Sequence, residues 1–317
     1  MGRVVPLEQQ LRFINRELLM KIRTFLTALL LGCGTLSVAH GAMIVNDSFD
    51  SYADTAAFTA AWPVVGALPS GTIVTNRSVS APQSAHYAGT AVAASAERNG
   101  KSFAETDTFS SDGTGGSNLP IGDKLIWSFD FYDSATGNPQ RNYANLQDGA
   151  SPATSPPAQL ISMGLNNNQG STVSGGNYYM ARILGYTNTA ADPDGGPNED
   201  ATGVGSGTYF KLNDFGVGLR SVGWHNLKVV FSTDDGASLD LDFYVDNQLA
   251  EKVYNIGTST ALRSYDLIRM GSGLTNSSID ANFDNMVLEY VTVPEPASLL
   301  LIGMSAVGLL AVRRRSA

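Results

Sequence analysis

Between Asp192 and Asp200 the chain sets five oxygen-bearing side chains, Asp192, Asp194, Asn198, Glu199 and Asp200, within nine residues. Such a donor set suits a hard cation such as calcium, which takes about 6 to 8 oxygen ligands. The spacing departs from an EF-hand loop, because Gly196 stands where that pattern wants an oxygen ligand and Gly195 comes early. A solvated acidic turn is the other reading of the same residues. A second chemistry, stacking on sugar rings beside polar groups, is open to Tyr178, Tyr179, Tyr186, Tyr209 and Trp224, which lie on or beside expected strands. Aromatic side chains at strand positions also serve simply as packing.

Other chemistries lack their residues. Ser, His and Asp are all present, but no Gly-x-Ser-x-Gly elbow frames a nucleophile. Gly203-Val204-Gly205 and Gly216-Val217-Gly218 each lack the third glycine of a dinucleotide fingerprint, with Thr208 and Ser221 in its place. The single cysteine, Cys33, lies in the N-terminal apolar region, so the remainder has no disulfide, thiolate nucleophile or Cys-ligated zinc. Beyond that region only His86 and His225 remain, too few for a His-rich metal site, and His225 falls in an alternating strand as a core or edge histidine. Between Met43 and Tyr290 the chain carries 26 acidic and 12 basic residues, a net charge of −14. Nucleic-acid binding, which needs basic surface to displace counterions, is excluded. No enzyme is expected.

These candidates need strands to hold them. Asp outnumbers Glu 21 to 5 in the acidic set, and the 33 glycines concentrate in the same region, a composition of turns and strands. In Leu239-Asp240-Leu241-Asp242-Phe243-Tyr244-Val245-Asp246 every odd residue is apolar, which predicts a half-buried antiparallel strand. Leu125 to Tyr132 and His225 to Phe231 alternate in the same way, and Asp235-Gly236 and Asp246-Asn247 supply hairpin turns. Further strands are expected at Ile44 to Phe49, Ser84 to Ala93, Gln159 to Leu165, Tyr178 to Tyr186, Gly207 to Leu212, Leu249 to Tyr254, Leu267 to Met270 and Phe283 to Val291. Asp54 to Ala61 is at most a short helix. Ten or more strands around one core predict an all-β fold, a two-sheet antiparallel sandwich.

The termini read as addresses. Met20-Lys21-Ile22-Arg23, the apolar Phe25 to Leu31 and a small-residue site at Ser37-Val38-Ala39 or Ala39-His40-Gly41 form a secretory signal peptide, with Met20 as the alternative start. Leu30-Leu31-Gly32-Cys33 also reads as a degraded lipobox. At the other end stand Val293, Pro294, Glu295 and Pro296, then an uncharged stretch from Ala297 to Val312, then Arg313, Arg314 and Arg315. The prolines keep the motif extended and open to a peptidase. The apolar stretch is sixteen residues; at about 1.5 Å per residue it spans roughly 24 Å as a helix, so it crosses a bilayer only with thinning or snorkelling arginines. Positive charge stays cytoplasmic, which places the preceding domain outside.

This tripartite tail resembles the PEP-CTERM sorting signal of exported proteins in Gram-negative, exopolysaccharide-producing bacteria. The resemblance implies cleavage near Pro294-Glu295-Pro296 by an exosortase, transient anchoring in the inner membrane, and delivery to the cell surface or extracellular matrix. A second resemblance rests on Gly223 to Phe231, Phe243 to Asn247, Phe283 to Leu288 and the opening Asn46 to Asp50 with Ser84 to Tyr87. These runs are similar to strands of concanavalin A-like or laminin-G-like jelly rolls. That likeness implies a jelly-roll sandwich and, from laminin-G-like domains, calcium at one rim. Retaining glycosidases of the jelly-roll kind carry a Glu-x-Asp-x-x-Glu strand, and the nearest pattern here, Asp240-Leu241-Asp242-Phe243-Tyr244, lacks both glutamates.

The expected division is a signal peptide at 1–42, a jelly roll at 43–291 and a sorting tail at 292–317, with an N-terminal signal helix and a C-terminal transmembrane helix flanking the sandwich. The expected function is surface or matrix display or binding. The alternative is a calcium-dependent, lectin-like module with exopolysaccharide as partner, and after it a polysaccharide hydrolase or lyase.

Overall fold

Period-two alternation becomes fifteen strands and one short helix among the described residues. In chain order these are β1 (Gly41–Asp47), α1 (Thr55–Ala61), β2 (Thr72–Val74), β3 (Ser84–Tyr87), β4 (Asn99–Ser102), β5 (Lys124–Asp133), β6 (Arg141–Asp148), β7 (Gln159–Asn166) and β8 (Met180–Leu184). There follow β9 (Thr189–Ala190), β10 (Ser206–Lys211), β11 (Gly223–Ser232), β12 (Leu239–Val245), β13 (Gln248–Asn255), β14 (Leu267–Met270) and β15 (Ala281–Val291). The computed structural model describes residues 41–66, 69–89, 98–103, 119–134, 141–148, 159–166, 178–184, 189–190, 206–236, 239–255, 265–271 and 279–292. All of them fall in one compact unit, Gly41–Thr292. The expected signal helix and transmembrane helix lie outside the described residues, among which no helix is long and apolar enough to cross a membrane.

The strands form two antiparallel sheets. A nine-stranded sheet runs β2-β3-β15-β5-β11-β12-β13-β9, with β1 also on β15, and a six-stranded sheet runs β10-β8-β7-β6-β14-β4. Successive strands cross between the sheets, β5 to β6, β10 to β11, β13 to β14 and β14 to β15, which makes the sandwich a jelly roll. β1 begins at Gly41, opposite Val291, two residues before the expected domain boundary.

β15 shows how one strand serves two neighbours. Its first residues pair with β3, and its later ones, from Met286 to Val291, pair with β1. The change of neighbour coincides with a bulge between Asp284 and Val287, where Asn285 takes φ 46°. The residue types explain the turns elsewhere. Asp246 and Asn247, at φ 51° and 64°, make the two-residue hairpin between β12 and β13, and short polar side chains tolerate this left-handed region best. Helix α1 starts where the Asp54 carboxylate accepts from Ala57 N at 2.8 Å, an N-cap, and buries Phe58.

The core lies between the sheets. Leu125, Trp127, Phe129 and Phe131 of β5 and Leu227, Val229 and Phe231 of β11 face Leu146, Ile161, Met163, Ile183, Phe210 and Ile268 from the opposite sheet. Full burial of side chains of this size contributes about 1.5–3 kcal/mol each. Because the pleat alternates, these inward residues fix what the same strands present outward.

Candidate functional site

The six-stranded sheet turns Ala144 and Leu146 of β6, Ile161 and Met163 of β7, Ala181 and Ile183 of β8 and Ile268 and Met270 of β14 into the core. Their alternate neighbours therefore share the other face. Pairing registers align them in one row across all six strands: Tyr209, Arg182, Ser162, Asn145, Arg269 and Gly100. Tyr143 and Gln147 flank this row on β6. No Asp or Glu alternates onto this face from the six strands.

Its chemistry is polar yet shielded. Asn145 and Ser162 are 6% and 1% exposed, and Asn145 Oδ1 and Ser162 Oγ have no hydrogen-bond partner. Burying such groups unpaired costs about 1–3 kcal/mol each, so the row carries unused hydrogen-bonding capacity. The Arg182 guanidinium lies 5.2 Å from the centre of the Tyr209 ring, and the rings of Tyr209 and Tyr143 are 6.3 Å apart. Arg269 Nε donates to Gln147 Oε1 at 2.6 Å. Burial, reinforced by the nearby Arg98, brings the Arg269 group down to about 10, against an opposite pull from Tyr143. It remains a cation at neutral pH. Burial likewise pushes Arg98 down, and burial followed by the neighbouring Tyr209 pushes the Tyr143 phenol up.

Two glycines allow close packing on this face. Gly100 lies beside Arg269, where an added Cβ would stand 3.3 Å from Arg269 Cγ and 2.8 Å from Val65 Cγ2. Gly164 pairs with Tyr143 at φ 141°, and a Cβ there would meet Asn142 O and Tyr143 Cα at 2.6 Å. Both contacts are to backbone and cannot relax by a side-chain rotation. Gly164→Ala is expected to destabilise the protein by about 2 kcal/mol through strain at this φ and the clash. Thermal unfolding checks this, and a change of under about 0.5 kcal/mol would show that β6 and β7 separate at no cost.

The sequence-based candidates scatter. Of the four described aromatics, Tyr209 alone joins the row. Tyr179 is core-facing and 2% exposed, its ring against Phe131 and its hydroxyl 3.3 Å from Asp133 Oδ2, so no ligand can stack on it. Tyr178 precedes β8 and is half-buried. Trp224 sits on the outer face of the nine-stranded sheet, in edge contact with Tyr132 at 5.4 Å, and Arg77 stacks on that tyrosine at 4.7 Å. Tyr186, the candidate calcium residues Asp192, Asp194, Asn198, Glu199 and Asp200, the motif at 293–296 and Arg313 to Arg315 lie outside the described residues. Among the described residues no three His, Cys, Asp or Glu side chains gather as metal ligands.

His225 is better connected than an edge histidine needs to be. Its Nδ1 is 2.8 Å from Asp246 Oδ2 and its Nε2 is 3.2 Å from Ser221 Oγ, the order of contacts in a Ser-His-Asp relay. However, Nε2 also lies 2.9 Å from the Ser221 carbonyl oxygen. That contact requires Nε2 to carry the proton, so it cannot at the same time accept the serine proton. The arrangement ties residues 221–225 to the β12–β13 turn.

Sequence reasoning missed Arg98, Tyr143, Asn145, Ser162, Arg182 and Arg269. A signal existed for two of them: Arg182 in Met180–Leu184 and Arg269 in Leu267–Met270 each interrupt an otherwise apolar strand.

Residues 292–315 match the family model for the PEP-CTERM protein-sorting motif. The chain carries a PEP-CTERM sorting signal. The signal indicates an exported protein processed at the membrane, and it implies exosortase as the processing enzyme. No curated protein matches the chain. Among solved structures this chain is similar to a carbohydrate esterase of a Shiga toxin-encoding bacteriophage, with 11% identity, 80% of this chain and 100% of that one covered, and a TM-score of 0.45. It is similar also to an endo-β-1,4-glucuronan lyase of the fungus Trichoderma reesei (12% identity, 78% and 95% covered, TM-score 0.41). Peanut lectin is a third (11% identity, 81% and 98% covered, TM-score 0.41).

Proposed function

We propose that this exported protein is a carbohydrate-binding module of the cell surface or extracellular matrix, with the glycan lying across the outer face of the six-stranded sheet. The row from Tyr209 to Arg269 carries this reading. Sugar hydroxyls need closely spaced donors and acceptors beside an aromatic ring, and Asn145 Oδ1 and Ser162 Oγ stand unused between Tyr209 and Arg269. Binding is favoured over turnover. Among the described residues the six strands turn no carboxylate onto this face to act as acid or nucleophile, and a phenol pushed up as Tyr143 is does not serve as a base near neutral pH.

In the same reading the chain divides into a signal peptide at 1–42, the sandwich at 43–291 and the sorting tail at 292–317. The tail holds the domain at the inner membrane of a Gram-negative cell until exosortase acts near Pro294-Glu295-Pro296, and Arg313 to Arg315 stay inside. Exopolysaccharide is the natural ligand pool for a protein released there. The acidic run Asp192, Asp194, Asn198, Glu199 and Asp200 is the proposed calcium loop.

A glycan-array screen of the detergent-solubilised full chain, with calcium and with chelator, tests this. Binding is expected, reduced at least tenfold by Asn145→Ala and unchanged by Trp224→Ala on the other sheet. Absence of binding to any glycan would sink the reading; loss with Trp224→Ala instead would move the site to the nine-stranded sheet. Chelation without effect would remove calcium from it.

A further inference from the structure

We propose that the end of β15 is a latch on sorting: exosortase processes only those molecules whose last strand residues, Tyr290 and Val291, stand outside the sheet. The inference rests on the reading above that exosortase acts near Pro294-Glu295-Pro296, and adds what the folded domain does to that step.

The last strand runs almost to the motif. β15 ends at Val291, the sorting-motif match begins at residue 292, and Thr292 alone separates the strand from Val293. A peptidase grips the residues before the bond it cuts as an extended strand, through main-chain hydrogen bonds. Counted back from Pro294 these are Val293, Thr292, Val291 and Tyr290. The last two are already in use. On one side of β15 lies β1, with Ala42 opposite Tyr290 and Gly41 opposite Val291. On the other lies β5, with Leu125 and Lys124 opposite the same two residues. A strand with neighbours on both sides has no main-chain donors or acceptors left to offer an enzyme.

Tyr290 is the point at which fraying stops. Val291 is half-buried and its partners Gly41 and Lys124 are exposed, so this end of the strand opens at small cost. Tyr290 packs its ring against the core cluster and donates its hydroxyl to Asp123 Oδ2. Asp123 is itself enclosed, and its N donates to Pro120 O at 3.0 Å, so the acceptor sits on a fixed turn. Burial and the neighbouring Asp123 push the Tyr290 phenol up, which keeps it a donor. When opening and reclosing are fast compared with cleavage, the rate of cleavage tracks the open fraction. Whatever holds Tyr290 therefore sets how often the motif is processed.

Pulse–chase of the full chain in cells that carry an exosortase tests this, with loss of the tail followed by gel mobility. Lys124→Cys with Val291→Cys staples β15 to β5 at its last pair; the one native cysteine, Cys33, lies in the N-terminal apolar region. The oxidised staple is expected to slow processing at least tenfold, and reductant to restore it, which shows that the stapled chain remains a competent substrate. Tyr290→Phe, which keeps the ring and removes the hydroxyl, is expected to speed processing at least threefold. A flexible Gly-Ser spacer between Thr292 and Val293 is expected to abolish both effects. An oxidised staple processed at the parental rate, or one that slows the spacer chain equally, would overturn the latch and leave the sorting reading standing. Tyr290→Phe at the parental rate would overturn Tyr290 as its holding point. Processing that survives replacement of Pro294-Glu295-Pro296 by alanines would overturn the sorting reading, and the latch with it.

Discussion

Arg220→Ala is expected to lower the stability of the sandwich by about 3–5 kcal/mol, the cost of leaving a buried carboxylate without its counter-charge. Arg220 Nε and Nη2 each reach an oxygen of Asp133 at 2.8 Å, and both side chains are 0% exposed. Asp133 ends β5 between Gly223 of β11 and Ala281 of β15, at the centre of the nine-stranded sheet. With the guanidinium gone the carboxylate keeps the Tyr179 hydroxyl at 3.3 Å, which is a weak substitute for a charge. Urea unfolding at neutral pH measures the loss. The double variant Asp133→Asn with Arg220→Met is expected to recover most of it, because the cost lies in the unpaired charge and not in the missing contact. A single variant within about 1 kcal/mol of the parent would mean that the site opens to solvent when the arginine is removed.

The same pair shows why the sequence disclosed the fold better than the site. Leu125, Trp127, Phe129 and Phe131 announce β5 by strict alternation, and the turns at Asp235-Gly236 and Asp246-Asn247 carry residue types that tolerate positive φ. Those signals are local. Strand β6 has no such signature: in Arg141–Asp148 the inward positions include Asn142 and Ala144, and the outward ones Tyr143, Asn145 and Gln147, so neither face reads as apolar. Yet β6 lies in the middle of the six-stranded sheet and supplies Asn145 to the row. The row exists only through pairing between residues 209, 182, 162, 145 and 269, and register between distant strands is invisible to a periodicity argument. Tyr179 illustrates the converse. An aromatic beside a strand suggested a sugar contact, but its parity on the strand turns it inward, where Asp133 takes its hydroxyl.

Charge distribution follows from the same pleat. The outward positions of the nine-stranded sheet mix Asp130, Asp240 and Asp242 with Lys228 and Lys252, and Asp242 stands directly opposite Lys252. Among the described residues the outward positions of the six-stranded sheet's strands include Arg182 and Arg269 but no Asp or Glu.

Asp47→Ala is expected to be nearly as damaging as loss of Arg220, about 3–4 kcal/mol, because one carboxylate serves four donors in four places. Asp47 is 7% exposed and accepts from Phe49 N at 3.0 Å, Tyr52 Oη at 2.5 Å, Trp62 Nε1 at 2.9 Å and Lys101 Nζ at 3.0 Å. It therefore ties β1 in one sheet to the end of helix α1 and to β4, the edge strand of the other sheet. Removing it leaves the indole N–H without its acceptor and deprives Lys101 of its partner, next to the Gly100 that makes room for Arg269. The effect is expected to depend on pH. Burial pushes the Asp47 carboxyl up, but hydrogen bonds from Tyr52, Trp62 and Lys101 together hold it below its ordinary value of 3.8. A carboxyl held low in the folded state stabilises above the unfolded value and loses that contribution as pH falls through the folded one. The difference in urea midpoint between parent and Asp47→Ala is thus expected to shrink as pH falls below the ordinary value of 3.8, where the unfolded chain takes up a proton that the folded parent resists. A difference that stayed constant over that range would show that packing around Tyr52 and Trp62, not the charge of Asp47, joins the two sheets at this edge.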